Sequence, residues 1–153
     1  MESLKKDIQH EEDQKVDIDK EWLLSLKNVL ISFFGCEPIE PLMFEHGRNI
    51  GQLFFHKMQE IEQNQHKASQ MPLNELFEWL TKRGFGTLKI SSYESFENCE
   101  CQIKNYIKEL DISYYCGLLT GFLECLWNKE IEIRCYKEDS KEDSYKIILR
   151  EAY

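Results

Sequence analysis

Residues 113–128 read SYYCGLLTGFLECLWN, with the small residues Gly117, Gly121 and Cys125 four apart. On a helix that spacing lines them up as a groove, and Tyr114, Leu118, Phe122 and Leu126 make a bulky ridge beside it. A glycine inside a helix costs roughly 1 kcal/mol against alanine, so a spaced pair in an apolar run marks a close approach to the backbone. Residues 44–55, FEHGRNIGQLFF, repeat the device with Gly47 and Gly51. The approaching body is a partner helix, a strand of the same domain, or the flat or linear body of an apolar ligand.

Working outward from these runs, apolar residues set the other elements. Trp22, Leu23, Leu26, Leu30 and Phe33 recur at three and four residues, which predicts a helix from Glu21 that Gly35 and Pro38 end. A second helix is expected from Leu42 to Gln63, after a turn marked by Pro38 and Pro41. Pro72 suits the start of a third, Leu73 to Lys82, closed by Gly84. The period then drops to two. Leu88 and Ile90, then Cys99, Cys101 and Ile103, alternate with polar residues and predict a hairpin between Phe85 and Tyr106. After the glycine helix, Ile131-Ile133-Cys135 and Tyr145-Ile147-Leu149 alternate across a charged turn, Lys137 to Asp143. Three helices, a hairpin, a buried helix and a second hairpin indicate an α+β fold, with N-terminal helices on one face of a four-stranded antiparallel sheet.

Residues 1–20, MESLKKDIQHEEDQKVDIDK, lack this periodicity and read as a charged, flexible leader to a single domain over 21–153. They contain no apolar signal core, and no stretch nears the ~18 apolar residues of a membrane span. The expected location is cytoplasmic. There the six cysteines stay reduced and pack as small hydrophobes. A net charge of -9, with basic residues scattered among acids, excludes nucleic acid as a partner.

Few residues offer chemistry. Arg48 is placed to reach a carboxylate or a helix end, and His46 to hydrogen-bond a polar group on a ligand. Cys99 and Cys101 share one strand face, which a metal could use, but no second such pair accompanies them. There is no HExxH zinc helix, nucleophile elbow, Walker loop or dinucleotide fingerprint, since Gly84-Phe85-Gly86 closes a helix and leads into a strand.

The run CGLLTGFLECLWNKEIEIRC resembles the signature of the 4-vinyl reductase domain family: a Gly-x-x-x-Gly helix followed by a strand ending in Glu-x-x-Cys. FEHGRNIG is similar to the family's earlier glycine helix, and LNELFEWLTKRGFGTLKISSYE to the helix, glycine turn and first strand between. The resemblance spans about Leu42 to Leu149. It implies a fold related to the small core subunits of the vesicle-tethering complex TRAPP, a cavity between helices and sheet for a hydrophobic small molecule, and a homodimer. It also implies a zinc ion in the sensing members, and Glu132 and Cys135 match the middle pair of its four ligands. At the outer positions this chain departs: Ser113 stands near the first expected cysteine, and the turn KEDSKEDSY has neither glycine nor cysteine. Glu132 and Cys135 are also an odd number apart, so they face opposite sides of a regular strand.

The function expected is non-enzymatic binding of a hydrophobic or aromatic molecule, as a sensor or carrier. The apolar wall would come from Phe54, Leu88, Ile90, Ile103, Leu118 and Phe122. Gly47, Gly51, Gly117 and Gly121 would make room, and His46 or Tyr114 would fix orientation. The alternative is a structural adaptor of the TRAPP kind, presenting Trp22, Leu23, Phe33 and Phe34 to a separate protein partner around a vestigial or permanently filled pocket. An accessory role in tetrapyrrole reduction rests on the family name alone. Exposure of the first helix separates the first two.

Overall fold

The computed structural model describes residues 20–62, 71–110, 112–138 and 144–152. The leader, apart from Lys20, therefore lies outside the described residues, as do 63–70 and 139–143. Helix α1 spans Lys20–Phe34, α2 Ile39–Glu62 and α3 Met71–Lys82. Strands β1 (Thr87–Glu94) and β2 (Asn98–Lys104) form the first hairpin, and a 3-10 turn, Lys108–Leu110, leads into α4, Ile112–Trp127. Strands β3 (Ile131–Lys137) and β4 (Ser144–Glu151) form the second hairpin.

Helix α2 begins three residues earlier than the sequence suggests, with Pro41 inside its first turn. The first four N–H groups of a helix have no intrahelical partner, so a proline there removes nothing. Helix α3 ends in a Schellman cap: Gly84, at φ 81°, donates to the Thr81 carbonyl and Phe85 to that of Leu80. Phe85 and Leu80 are both fully buried, which supplies the apolar contact of that motif.

The sheet is antiparallel with order β1-β2-β4-β3, so the hairpins are joined through their second strands. Alternation works as expected. Cys99, Cys101 and Ile103 are fully buried and stand opposite Leu149, Ile147 and Tyr145. A bulge between Ile90 and Ser92 shifts β1, which places Tyr93 opposite Cys99. This inner face and helix α4 belong to one apolar core. Helix α4 is the most enclosed element, buried from Tyr114 through Leu123. Tyr115 ties it to both ends of the first hairpin, donating to the Phe85 carbonyl at 2.6 Å and accepting from the Ile107 N–H at 3.0 Å. Among the described residues no helix is long and apolar enough to cross a membrane.

Candidate ligand site

The two glycine helices are each other's close approach. A Cβ on Gly47 would fall on the Tyr114 carbonyl oxygen, and one on Gly51 on that of Leu118. From the other side, Gly117 meets the Phe44 carbonyl and Gly121 that of Arg48. The expectation that these four glycines open space for a ligand is therefore corrected. Their missing side chains admit the main chain of the opposite helix, and the groove is filled from within the domain.

Beside this crossing Arg48 reaches across to α4. Its Nε and Nη2 donate to the two carboxylate oxygens of Glu124 at 2.7 and 2.8 Å, and Glu45 adds a looser contact at 3.5 Å. The Glu124 hydrogen bonds and charge raise the guanidinium pKa further. The fork clamps α2 to α4 where glycine has brought them together.

Two predicted orienting residues meet on one flank. The His46 ring lies between Trp22 and Tyr114, with centroids 5.9 and 5.6 Å away. Tyr114 is fully buried, yet its hydroxyl has no hydrogen-bond partner among the described residues, and neither has the buried Nδ1 of His46. Burial lowers the His46 pKa, keeping the imidazole neutral. Burial, reinforced by Tyr115, raises that of the Tyr114 phenol. Ser113 and Thr120, on the same helix, also carry buried hydroxyls with no partner among the described residues.

The apolar residues of the predicted wall gather in the core. Phe54 and Phe122 touch at 6.2 Å between ring centroids, Trp79 approaches Phe54 at 5.1 Å, and Phe55 meets Phe122 edge-on at 5.6 Å. Leu88, Ile103 and Leu118 are buried in the same cluster, with Ile90 packed against it. Phe54 lies eight residues beyond His46 on α2, about 12 Å along the axis, so the polar and aromatic ends of the wall are distinct. Leu88 also floors an open depression of about 380 Å³ between α3 and β1, lined by Asn74, Phe77, Glu78, Thr81 and Lys82.

The proposed zinc pair does not fit. Strand β3 pairs with β4 in unbroken register from Ile131 to Lys137. Glu132 therefore turns outward, next to Arg134 at 3.5 Å, while Cys135 turns to the inner face. Among the described residues no three of His, Cys, Asp and Glu gather as a metal site. Cys99 and Cys101 do share a face, their sulfurs 3.5 Å apart, fully buried in the core.

A larger open cleft, about 680 Å³, lies over the other end of the α2–α4 contact, lined by Gln52, Phe55, His56, Glu124, Cys125 and Asn128. The sequence held a clue to it. His56 and Cys125 follow Gly51 and Gly121 by about one helical turn, so helices that cross at the glycines bring these residues together next.

No protein-family model matches the chain, and no curated protein matches it. Solved structures do. The phenol-responsive sensory domain of the transcription activator PoxR, with phenol, matches over 84% of this chain and 72% of its own, at 15% identity and a TM-score of 0.64. An H-NOX structure matches over 90% and 75%, at 15% identity and a TM-score of 0.57. Subunit 3 of the trafficking protein particle complex from Naegleria fowleri, covalently bound to palmitic acid, matches over 87% and 95%, at 14% identity and a TM-score of 0.52. At such identities the likeness is one of fold: this chain has the helix-covered four-stranded sheet of the PoxR sensory domain and the trafficking subunit.

Proposed function

We propose that the protein is a non-enzymatic, cytoplasmic module of the 4-vinyl reductase domain kind, binding a hydrophobic or aromatic small molecule as a sensor or carrier. One observation carries this reading: two polar atoms, the Tyr114 hydroxyl and His46 Nδ1, are buried without partners among the described residues, on a flank walled by aromatic rings. A buried polar group left unpaired costs about 1–3 kcal/mol, which a ligand with one hydroxyl or carbonyl would recover. The rest of such a ligand would lie against rings, where apolar burial supplies affinity. Phenol in PoxR and palmitic acid on the trafficking subunit are consistent with small apolar molecules in this fold.

The test pairs native mass spectrometry of freshly purified protein with melting curves in the presence of phenols and fatty acids. The reading expects a retained adduct, or a compound that raises Tm in the wild type and much less in Tyr114→Phe. It fails if no adduct is retained and no phenol or fatty acid raises Tm, or if a compound raises Tm as much in Tyr114→Phe as in the wild type.

The adaptor reading also has support. Helix α1 leaves Trp22, Phe33 and Phe34 56%, 78% and 64% exposed but buries Leu23, which therefore drops out of the expected surface, and Leu42 and Leu53 of α2 are exposed as well. Such residues suit a second copy of the chain or a separate partner. Trp22 belongs to both readings, since it also covers His46. A chain docked on α1 would thereby stiffen one wall of the proposed ligand site.

A further inference from the structure

His56 on α2 and Cys125 on α4, 69 residues apart in sequence, bring Nε2 and Sγ within 3.9 Å in the open cleft. We propose that this pair is a low-coordination site for a soft closed-shell cation of the cuprous kind. Metal–sulfur and metal–imidazole bonds of about 2.3 and 2.0 Å span 3.9 Å at an S–metal–N angle of roughly 130°. A tetrahedral ion would draw the same atoms to about 3.5 Å. The separation is one that a single ion of low coordination number can bridge.

Glu124 and Glu130 also line the cleft, but among the described residues no third His, Cys, Asp or Glu gathers with the pair as a metal site. The nearest carboxylate in sequence, Glu124, is already held by both arms of the Arg48 fork. A thiolate with one imidazole is a soft donor set, which selects a cuprous ion over the oxygen-seeking magnesium and calcium. Binding would exchange the Cys125 thiol proton, which passes to solvent, for one metal ion, with His56 as the second donor. No electron is transferred. The open side of the cleft leaves room for an exchangeable third ligand.

The test is anaerobic titration of the reduced full chain with Cu(I) against a chromophoric Cu(I) chelator, with stoichiometry read by native mass spectrometry. The expected result is one tight equivalent, with affinity at least tenfold lower in both Cys125→Ser and His56→Gln and unchanged in Cys36→Ser. His56 is exposed, so His56→Gln should fold like the wild type, and it alone decides the matter if Cys125→Ser does not fold. Wild-type affinity in His56→Gln overturns the site, because the binding would then need a thiol alone. Loss of the tight equivalent in Cys36→Ser overturns it too.

Discussion

Replacing Gly121 by alanine sets two effects of opposite sign against each other. On an isolated helix the change gains roughly 1 kcal/mol. In the folded protein the new methyl carbon would fall on the Arg48 carbonyl oxygen, 2.8 Å from its carbonyl carbon and 3.0 Å from its Cα. Nonbonded carbons settle at about 3.5–4.0 Å, so α2 and α4 must part by roughly 1 Å. The obstacle is helical main chain, which cannot swing aside as a side-chain tip would. Overpacking of this kind costs about 3 kcal/mol, the upper part of its usual range, and the net loss is about 2 kcal/mol. For a domain of this size that lowers Tm by about 4–8 °C. Differential scanning calorimetry and urea unfolding would measure it. Gly51→Ala pushes the same helices apart, so the double variant should lose less than the sum of the singles. A Gly121→Ala protein melting at or above the wild type would refute the argument.

Three other outcomes follow from the same geometry. Glu124→Gln breaks the charged fork to Arg48, and because Arg48 is partly solvated the loss should be about 1–2 kcal/mol by urea unfolding; a double-mutant cycle with Arg48→Gln showing no coupling would contradict the clamp. Burial lowers the His46 pKa, so on acidification the unfolded chain takes up this proton first. That contribution to stability is complete above about pH 6.5, the ordinary imidazole value, and is lost as pH falls toward the folded pKa; His46→Gln should flatten this part of the Tm–pH curve. Phe33→Ser with Phe34→Ser removes exposed apolar surface from α1 and should lower any self-association seen by sedimentation velocity, leaving Tm at low concentration within about 2 °C.

The elements were legible because burial imposes periods on the chain. Trp22 to Phe33 and Leu73 to Leu80 carry the helical stripe, and Cys99-Cys101-Ile103 the alternation. The glycine spacings also announced a close approach. What they could not announce was its object, because Gly47–Gly51 and Gly117–Gly121 are lined up by the path of the whole chain. The sequence suggests that Arg48 reaches a carboxylate, but which one was hidden for the same reason, Glu124 being 76 residues away. Strand order was hidden too, since alternation assigns a face and not a neighbour. Glu132 and Cys135 show the reverse: residue parity already set them on opposite faces, and the unbroken β3–β4 register keeps them there.

The order β1-β2-β4-β3 bears on how the protein is made. Strand β2 ends at Lys104, and its second neighbour is complete only at Glu151. At about 5–20 residues per second, roughly 2–9 s of translation separate the two. Through that interval the nascent sheet is a lone two-stranded hairpin, of marginal stability in water. Its Cys99, Cys101 and Ile103 row waits for a strand not yet synthesised. Slow codons or a stall between 105 and 143 would lengthen the wait, and faster decoding there would shorten the time in which this row can pair with another chain.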